Sequence, residues 1–162
     1  MEKFNSPSGG SLSQIEMLAE IASFVSESPK DFYRLVIGSD SHSHRINSHF
    51  ECDFVTAIVI HRVGKGARYF WQREKVVKSF VLRDKIYAET LRSLKTAEAL
   101  VPALRKAVNS SKYELEIHID VGDRGPTRDM IKEVVGMVVG NGYVAKTKPQ
   151  SWAASSVADR YT

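Results

Sequence analysis

The chain has 162 residues, 43% of them hydrophobic, with 23 basic and 19 acidic side chains and a formal net charge of +4. That length and apolar content suit one domain with one core, and the lone cysteine, Cys52, excludes an intrachain disulfide and a multi-thiolate zinc site. No apolar run approaches the roughly 20 residues of a membrane span, and the N-terminus lacks the apolar stretch of a secretory signal, so the expected location is cytoplasmic.

Residues 1–10, ending in Ser8-Gly9-Gly10, read as a flexible tail, and 11–162 as a single domain. Ile15, Leu18, Ile21 and Ala22 recur at helical spacing and predict a helix to about Val25, capped by Ser13 or Ser11 and closed by Ser28-Pro29. A first strand is expected over Tyr33 to Ser39, with Asp40 at its end. A second apolar run, Phe54 to His61, leads through Gly64-Lys65-Gly66 into a third strand at Ala67 to Arg73, an antiparallel meander. Between the first two strands, His42, His44 and His49 form a cluster whose His-x-His spacing suits a transition metal; the interleaved Ser43, Arg45 and Asn47 favour a polar hairpin loop.

A long helix follows, Leu82 to Val108, with Leu82, Ile86, Ser93, Ala97, Leu100 and Leu104 on one side, Glu89 beside that stripe, and Pro102 placed to kink or divide it. Asn109-Ser110-Ser111 closes it. The fourth strand, about Glu114 to Asp120, enters the turn Gly122-Asp123-Arg124-Gly125-Pro126-Thr127. A helix from Met130 to Val139, a short fifth strand at Tyr143 to Ala145, and a last helix from Trp152 to Asp159 capped by Ser151 complete the chain.

One leading helix followed by β-β-β-α-β-α-β-α is the order of the ribonuclease H-like fold. The expected architecture is α/β: a five-stranded mixed sheet, three antiparallel strands then parallel additions, with helices on both faces. In it the first and fourth strands are parallel neighbours whose carboxyl ends bring Asp40 and Asp120 together. Clustered carboxylates repel one another and resist burial, so they call for a cation; hard ions such as Mg²⁺ select oxygen ligands. Each acid also has a structural reading. Asp40 and Asp120 suit turns, Glu89 suits a solvated helix edge, and Asp159 suits a helix end. The four in fold order weigh toward a site.

The motifs Gly38-Ser39-Asp40-Ser41, Leu82-Arg83-Asp84-Lys85-Ile86 with Glu89-Thr90, and His118-Ile119-Asp120-Val121-Gly122 resemble those of the YkuK-type ribonuclease H-like family, long of unknown function. Gly136 to Gly142, Lys148-Pro149 and Ala153 to Asp159 extend the resemblance over about residues 33–162. It implies the fold and, by similarity to catalytic members of the wider superfamily, a metal-ligand set of Asp40, Glu89, Asp120 and Asp159 holding two Mg²⁺ or Mn²⁺ ions. Asp40 and Asp120 then touch the ions, Glu89 holds one and orients a water, and Asp159 binds the other.

Further residues are candidates for substrate contact. His118 shares a strand face with Asp120 and suits either a phosphate contact or a satisfied core histidine. His42 is the nearest histidine to Asp40. Arg124 and Thr127 belong to a glycine-containing turn suited to a phosphate or to capping the next helix. Lys148 adds positive charge in front of the last helix. Tyr69, Phe70 and Trp71 alternate faces, so one ring is expected in the core and an outward one can stack on a base. Three functions follow: a metal-dependent nuclease acting on RNA, RNA–DNA hybrid or structured DNA; a non-catalytic nucleic-acid or protein binding module; and a small-nucleotide phosphoesterase.

Overall fold

The computed structural model describes residues 3–108 and 113–162. The first two strands, β1 (Phe4–Asn5) and β2 (Ser11–Leu12), pair with each other, and Asn5 pairs with Trp71. Phe4 is 1% exposed, so this part of the expected tail is bound into the sheet by one buried aromatic ring. Helix α1 (Gln14–Ser26) starts at Ser13: the Ser13 hydroxyl accepts from the Glu16 N–H while Glu16 accepts from the Ser13 N–H. This reciprocal pair settles which serine caps the helix. Met17, Leu18, Ile21, Phe24 and Val25 are buried, whereas Ile15 faces out.

Strands β3 (Tyr33–Ile46) and β4 (His49–Arg62) are much longer than the apolar runs that announce them. Their ladder is unbroken from Tyr33↔Arg62 to Ile46↔His49, with Asn47 in the left-handed region at the turn. The expected polar loop is therefore a strand ribbon. It is stabilised on one face by His44 and His49, whose Nε2 atoms lie 3.3 and 3.2 Å from the two Glu51 carboxylate oxygens, with Lys75 Nζ 3.4 Å from Glu51 Oε2. Strand β5 (Ala67–Val76) follows the Gly64-Lys65-Gly66 turn, where both glycines have positive φ.

Helix α2 (Leu82–Ala107) runs unbroken through Pro102. The carbonyl four residues earlier, which a residue-102 N–H would have met, belongs to exposed Glu98, where water can serve it. Its buried stripe is Ile86, Glu89, Thr90, Ser93, Ala97, Leu100, Val101 and Leu104. Glu89 thus stands inside the stripe rather than beside it, and Leu82 lies outside. The expected closing segment, Asn109-Ser110-Ser111, falls outside the described residues.

Strand β6 (Tyr113–His118) is parallel to β3, and β7 (Val144–Lys146) is parallel to β6. Between them a 3-10 turn at Arg128–Met130 leads into α3 (Ile131–Gly140). The sheet has seven strands in the order β2-β1-β5-β4-β3-β6-β7, not five; β1 and β2 are the additions. The chain ends in a π-helical segment, Ala153–Ala158, and a 3-10 turn, Asp159–Tyr161, in place of one regular helix. Ser151 does not cap it through its side chain: its hydroxyl is buried without a partner, and its carbonyl accepts from the Ala154 and Ser155 N–H groups.

Alternation along the strands separates two layers. Leu35, Ile37, Ile58, Ile60 and Phe70 face one core with α1, α2 and α3. Val36, Val59, Val55 and Ala57 face the C-terminal segment. Among the described residues no helix is long and apolar enough to cross a membrane.

Candidate carboxylate centre

The β3–β6 ladder ends at Gly38↔His118. Asp40 and Asp120 each stand two residues beyond that last pair, at equivalent positions past the mouth of the parallel pair. Asp40 does not end its strand. It lies within β3, opposite Val55, and is 8% exposed.

Gly38 explains how a fourth element reaches this point. A Cβ there would stand 2.6 Å from the Ala154 nitrogen and 2.8 Å from the Ala153 carbonyl carbon. Only a residue without a side chain lets the C-terminal segment lie this close to β3. Asp40, two residues on, shares that face, and the carboxyl of Asp159, which is exposed to solvent, lies close enough to raise its pKa. Glu89 approaches from the opposite layer. It is 4% exposed and accepts a short hydrogen bond from the Ser41 hydroxyl. Beside it, Ser39 Oγ lies 2.7 Å from Ser93 Oγ and 2.9 Å from Thr56 Oγ1, so the polar half of α2 meets hydroxyls.

The electrostatics follow from this burial. Loss of water pushes the Asp40 carboxyl up to about 7, helped by the nearby Asp159 carboxyl and the charge of Asp120. Burial likewise pushes Glu89 up to about 8, against the Ser41 hydrogen bond, with Asp40 and Asp120 adding to the rise. Near neutral pH Glu89 therefore holds its proton and Asp40 is divided between its two forms. Asp120 Oδ1 is buried without a hydrogen bond, and Lys148 Nζ stands 3.3 Å from it at ion-pair distance. Among the described residues, no three His, Cys, Asp or Glu side chains already form a group able to hold a metal ion. The donor chemistry nevertheless suits a hard divalent cation: all four groups are carboxylates, burial makes two of them costly to ionise, and one has a buried oxygen that makes no hydrogen bond and only a lysine ion pair.

The substrate-contact candidates separate. His118 is interior: its Nε2 lies 3.0 Å from Glu116 Oε1, its Nδ1 accepts the Ala153 N–H at 3.1 Å, and Trp152 packs edge-on at 5.0 Å. Both ring nitrogens are engaged, and burial lowers its pKa, so it anchors the C-terminal segment and has no free atom for a substrate. Thr127 is also taken up, its hydroxyl accepting the Gly122 N–H at 3.3 Å to close the turn. Arg124 is exposed on that turn. His42 is exposed on the Asp40 face and stacks on His44, with ring centroids 6.0 Å apart. Lys148 is the candidate that touches an acid of the centre.

Sequence reasoning missed Ser41, although its alternation with Asp40 is visible, and missed the structural role of Gly38. An isolated glycine inside an apolar strand run is the available signal of a close backbone approach.

A mixed sheet with this strand order, acids past a parallel strand pair and a helical segment on the reverse face define a ribonuclease H-like protein. The chain belongs to the Ribonuclease H-like family, whose match covers residues 16–162. It is 32% identical over 157 residues to the uncharacterized protein YkuK of Bacillus subtilis (strain 168), the match covering 91% of this chain and 89% of that protein. No solved structure matches the chain.

Proposed function

We propose that this protein is a divalent-metal-dependent nuclease that hydrolyses phosphodiester bonds in RNA, RNA–DNA hybrid or structured DNA. What supports the reading is that Asp40, Glu89 and Asp120 lie near enough to raise one another's cost of ionisation and that Asp159 lies close to Asp40, with two of the four buried at the expense of their charge. A fold that needed only stability would bury apolar groups there; buried carboxyls with raised pKa values point to a working site.

Asp40, Asp120, Glu89 and Asp159 would hold the cations, Mg²⁺ or Mn²⁺, two of them by similarity to catalytic members of the superfamily. Held there, they would supply Lewis acidity for phosphodiester hydrolysis. The protein's own part is defined by its contacts. Asp40, costly to ionise where it is buried, would give up its proton to hold a cation. Ser41 fixes the rotamer of Glu89. Lys148, which pairs with Asp120, and exposed Arg124 would supply positive charge to a phosphate. His42 is placed to contact the polymer past Asp40.

Lys148 also favours a second reading, a binding module without turnover, because a lysine beside Asp120 supplies a cation from within the chain. Cleavage of labelled RNA, RNA–DNA hybrid and single-stranded DNA with Mg²⁺ or Mn²⁺ separates the two. The nuclease cuts a polymer with metal and loses this in Asp40→Asn and Asp120→Asn. Binding of a polymer without cleavage supports the module, and cleavage of mononucleotides alone supports the small-nucleotide phosphoesterase.

A further inference from the structure

We propose that Tyr161, held against strand β5, is a positioning residue that keeps Asp159 at the carboxylate centre; this rests on reading Asp159 as part of that centre. The Tyr161 ring stacks on Trp71 at 3.7 Å between centroids and 11° between planes. Its hydroxyl lies 2.8 Å from that of Tyr69. Its carbonyl accepts a short hydrogen bond from Arg73. Three consecutive outward positions of β5 thus grip one residue.

The grip is placed to matter for the acids. Register puts Trp71 in the cross-strand row of Ala57 and Gly38, and Arg73 in the row of Val55 and Asp40. The C-terminal segment therefore crosses the sheet from β3, where Ala153 and Ala154 rest on Gly38, toward β5, where Tyr161 is held. Asp159 lies between these anchors. It sits on a three-residue 3-10 turn after a π-helical segment, and such short elements have little stability of their own. Ala158 packs beneath Asp159, on Val55 and Ala57.

The Asp159 carboxyl lies close to that of Asp40. Two neighbouring carboxyl groups do not form an ion pair, so their own contact does little to hold Asp159 in place. The Tyr161 grip, made by ring stacking and hydrogen bonds to β5 two residues after Asp159, holds the turn that carries Asp159 against the sheet. Tyr161 and Trp71 are both part-exposed rather than core residues, which fits an anchor at the rim.

Proximity is testable without metal or turnover. The Asp40→Cys/Asp159→Cys double variant, with buried Cys52 left in place, is oxidised under mild conditions and the rate of disulfide formation is measured. With Tyr161 present the cross-link forms readily; Tyr161→Ala slows it about tenfold by lowering the effective concentration of the two thiols. Tyr161→Phe, which keeps the stack and loses the hydroxyl contact, restores most of the rate. Circular dichroism confirms that each variant is folded, and Trp71→Leu provides a second disruption of the stack from β5. A rate unchanged by Tyr161→Ala and Trp71→Leu, or no cross-link with Tyr161 present, overturns the proposal whether or not the protein cleaves nucleic acid. In the otherwise unaltered chain, Tyr161→Ala raises the Mn²⁺ concentration for half-saturation about tenfold, as loss of an orienting partner does. A lower melting temperature with unchanged half-saturation reduces Tyr161 to a packing residue.

Discussion

On one face of the sheet, Leu35, Ile37, Ile58 and Ile60 meet three α-helices through large aliphatic and aromatic side chains. On the other, Gly38, Ala57, Ala153, Ala154 and Ala158 let a short helical segment lie close to the strands. The first face removes the larger apolar area from water and carries most of the stability. The second uses close approach to bring Asp159 beside Asp40. Helix α2 repeats the contrast along its length: Ala97, Leu100, Val101 and Leu104 pack apolar surface, while Glu89, Thr90 and Ser93 a few turns earlier bury polar groups.

The contrast is broken most strongly at the first face. Leu104→Ala leaves a cavity among α2, α1 and the sheet and is expected to cost about 2–5 kcal/mol in denaturant unfolding. Its activity per folded molecule stays near that of the parent; a specific loss of activity would show that the layers are not separable in this way.

The pH dependence of the metal-free protein comes next. Native Glu89 keeps its proton up to about pH 8, whereas an unperturbed glutamate releases it near 4.5; for Asp40 the corresponding values are about 7 and 3.8. Across that window the native state binds more protons than the unfolded state, so stability falls as pH rises. A loss of about 4 kcal/mol from Glu89 and about 3 kcal/mol from Asp40 is expected between pH 4.5 and 8. Glu89→Gln, neutral at every pH, flattens the slope. An equal slope in Glu89→Gln would assign it to other groups.

Gly38→Ala probes the second face. Its new methyl meets backbone at 2.6 and 2.8 Å, which is expected to cost about 1–3 kcal/mol. The C-terminal segment is pushed outward, so metal-dependent activity falls further than stability does. A smaller change comes from Ser41→Ala, which frees Glu89 of its hydrogen bond at a cost of about 1 kcal/mol and is read in the same unfolding assay.

Much of this architecture was legible because periodicity reports burial. The helix at Gln14–Ser26 and the hairpin turn at Gly64 to Gly66 follow from apolar spacing and turn residues, and the parallel pairing of β3 with β6 was expected from the element order of the ribonuclease H-like fold. What escaped has a common cause. Polar residues sit where pattern reasoning expects apolar ones, so β3 reads as ending at Ser39 although the ladder continues through His42 and His44, which face Asp53 and Glu51 across it. Phe4 enters the sheet from a segment rich in serine and glycine, where one buried ring outweighs composition. The side chains of His118 and Thr127 were open to two readings because spacing says which face a residue occupies and not which atom satisfies it. The hydrogen bonds from Ala153 and Gly122 decide them.

The most direct test of a cation centre is the melting temperature of the protein at pH 7.5, with and without saturating Mn²⁺ or Mg²⁺, alongside Asp120→Asn. Bound cations replace protons on Asp40 and Glu89 and relieve the repulsion around Asp120, so the parent should gain roughly 5 °C or more at a hundred times the dissociation constant. Asp120→Asn should gain little. No shift in the parent with either ion, or an equal shift in both proteins, would contradict a cation site at these carboxylates.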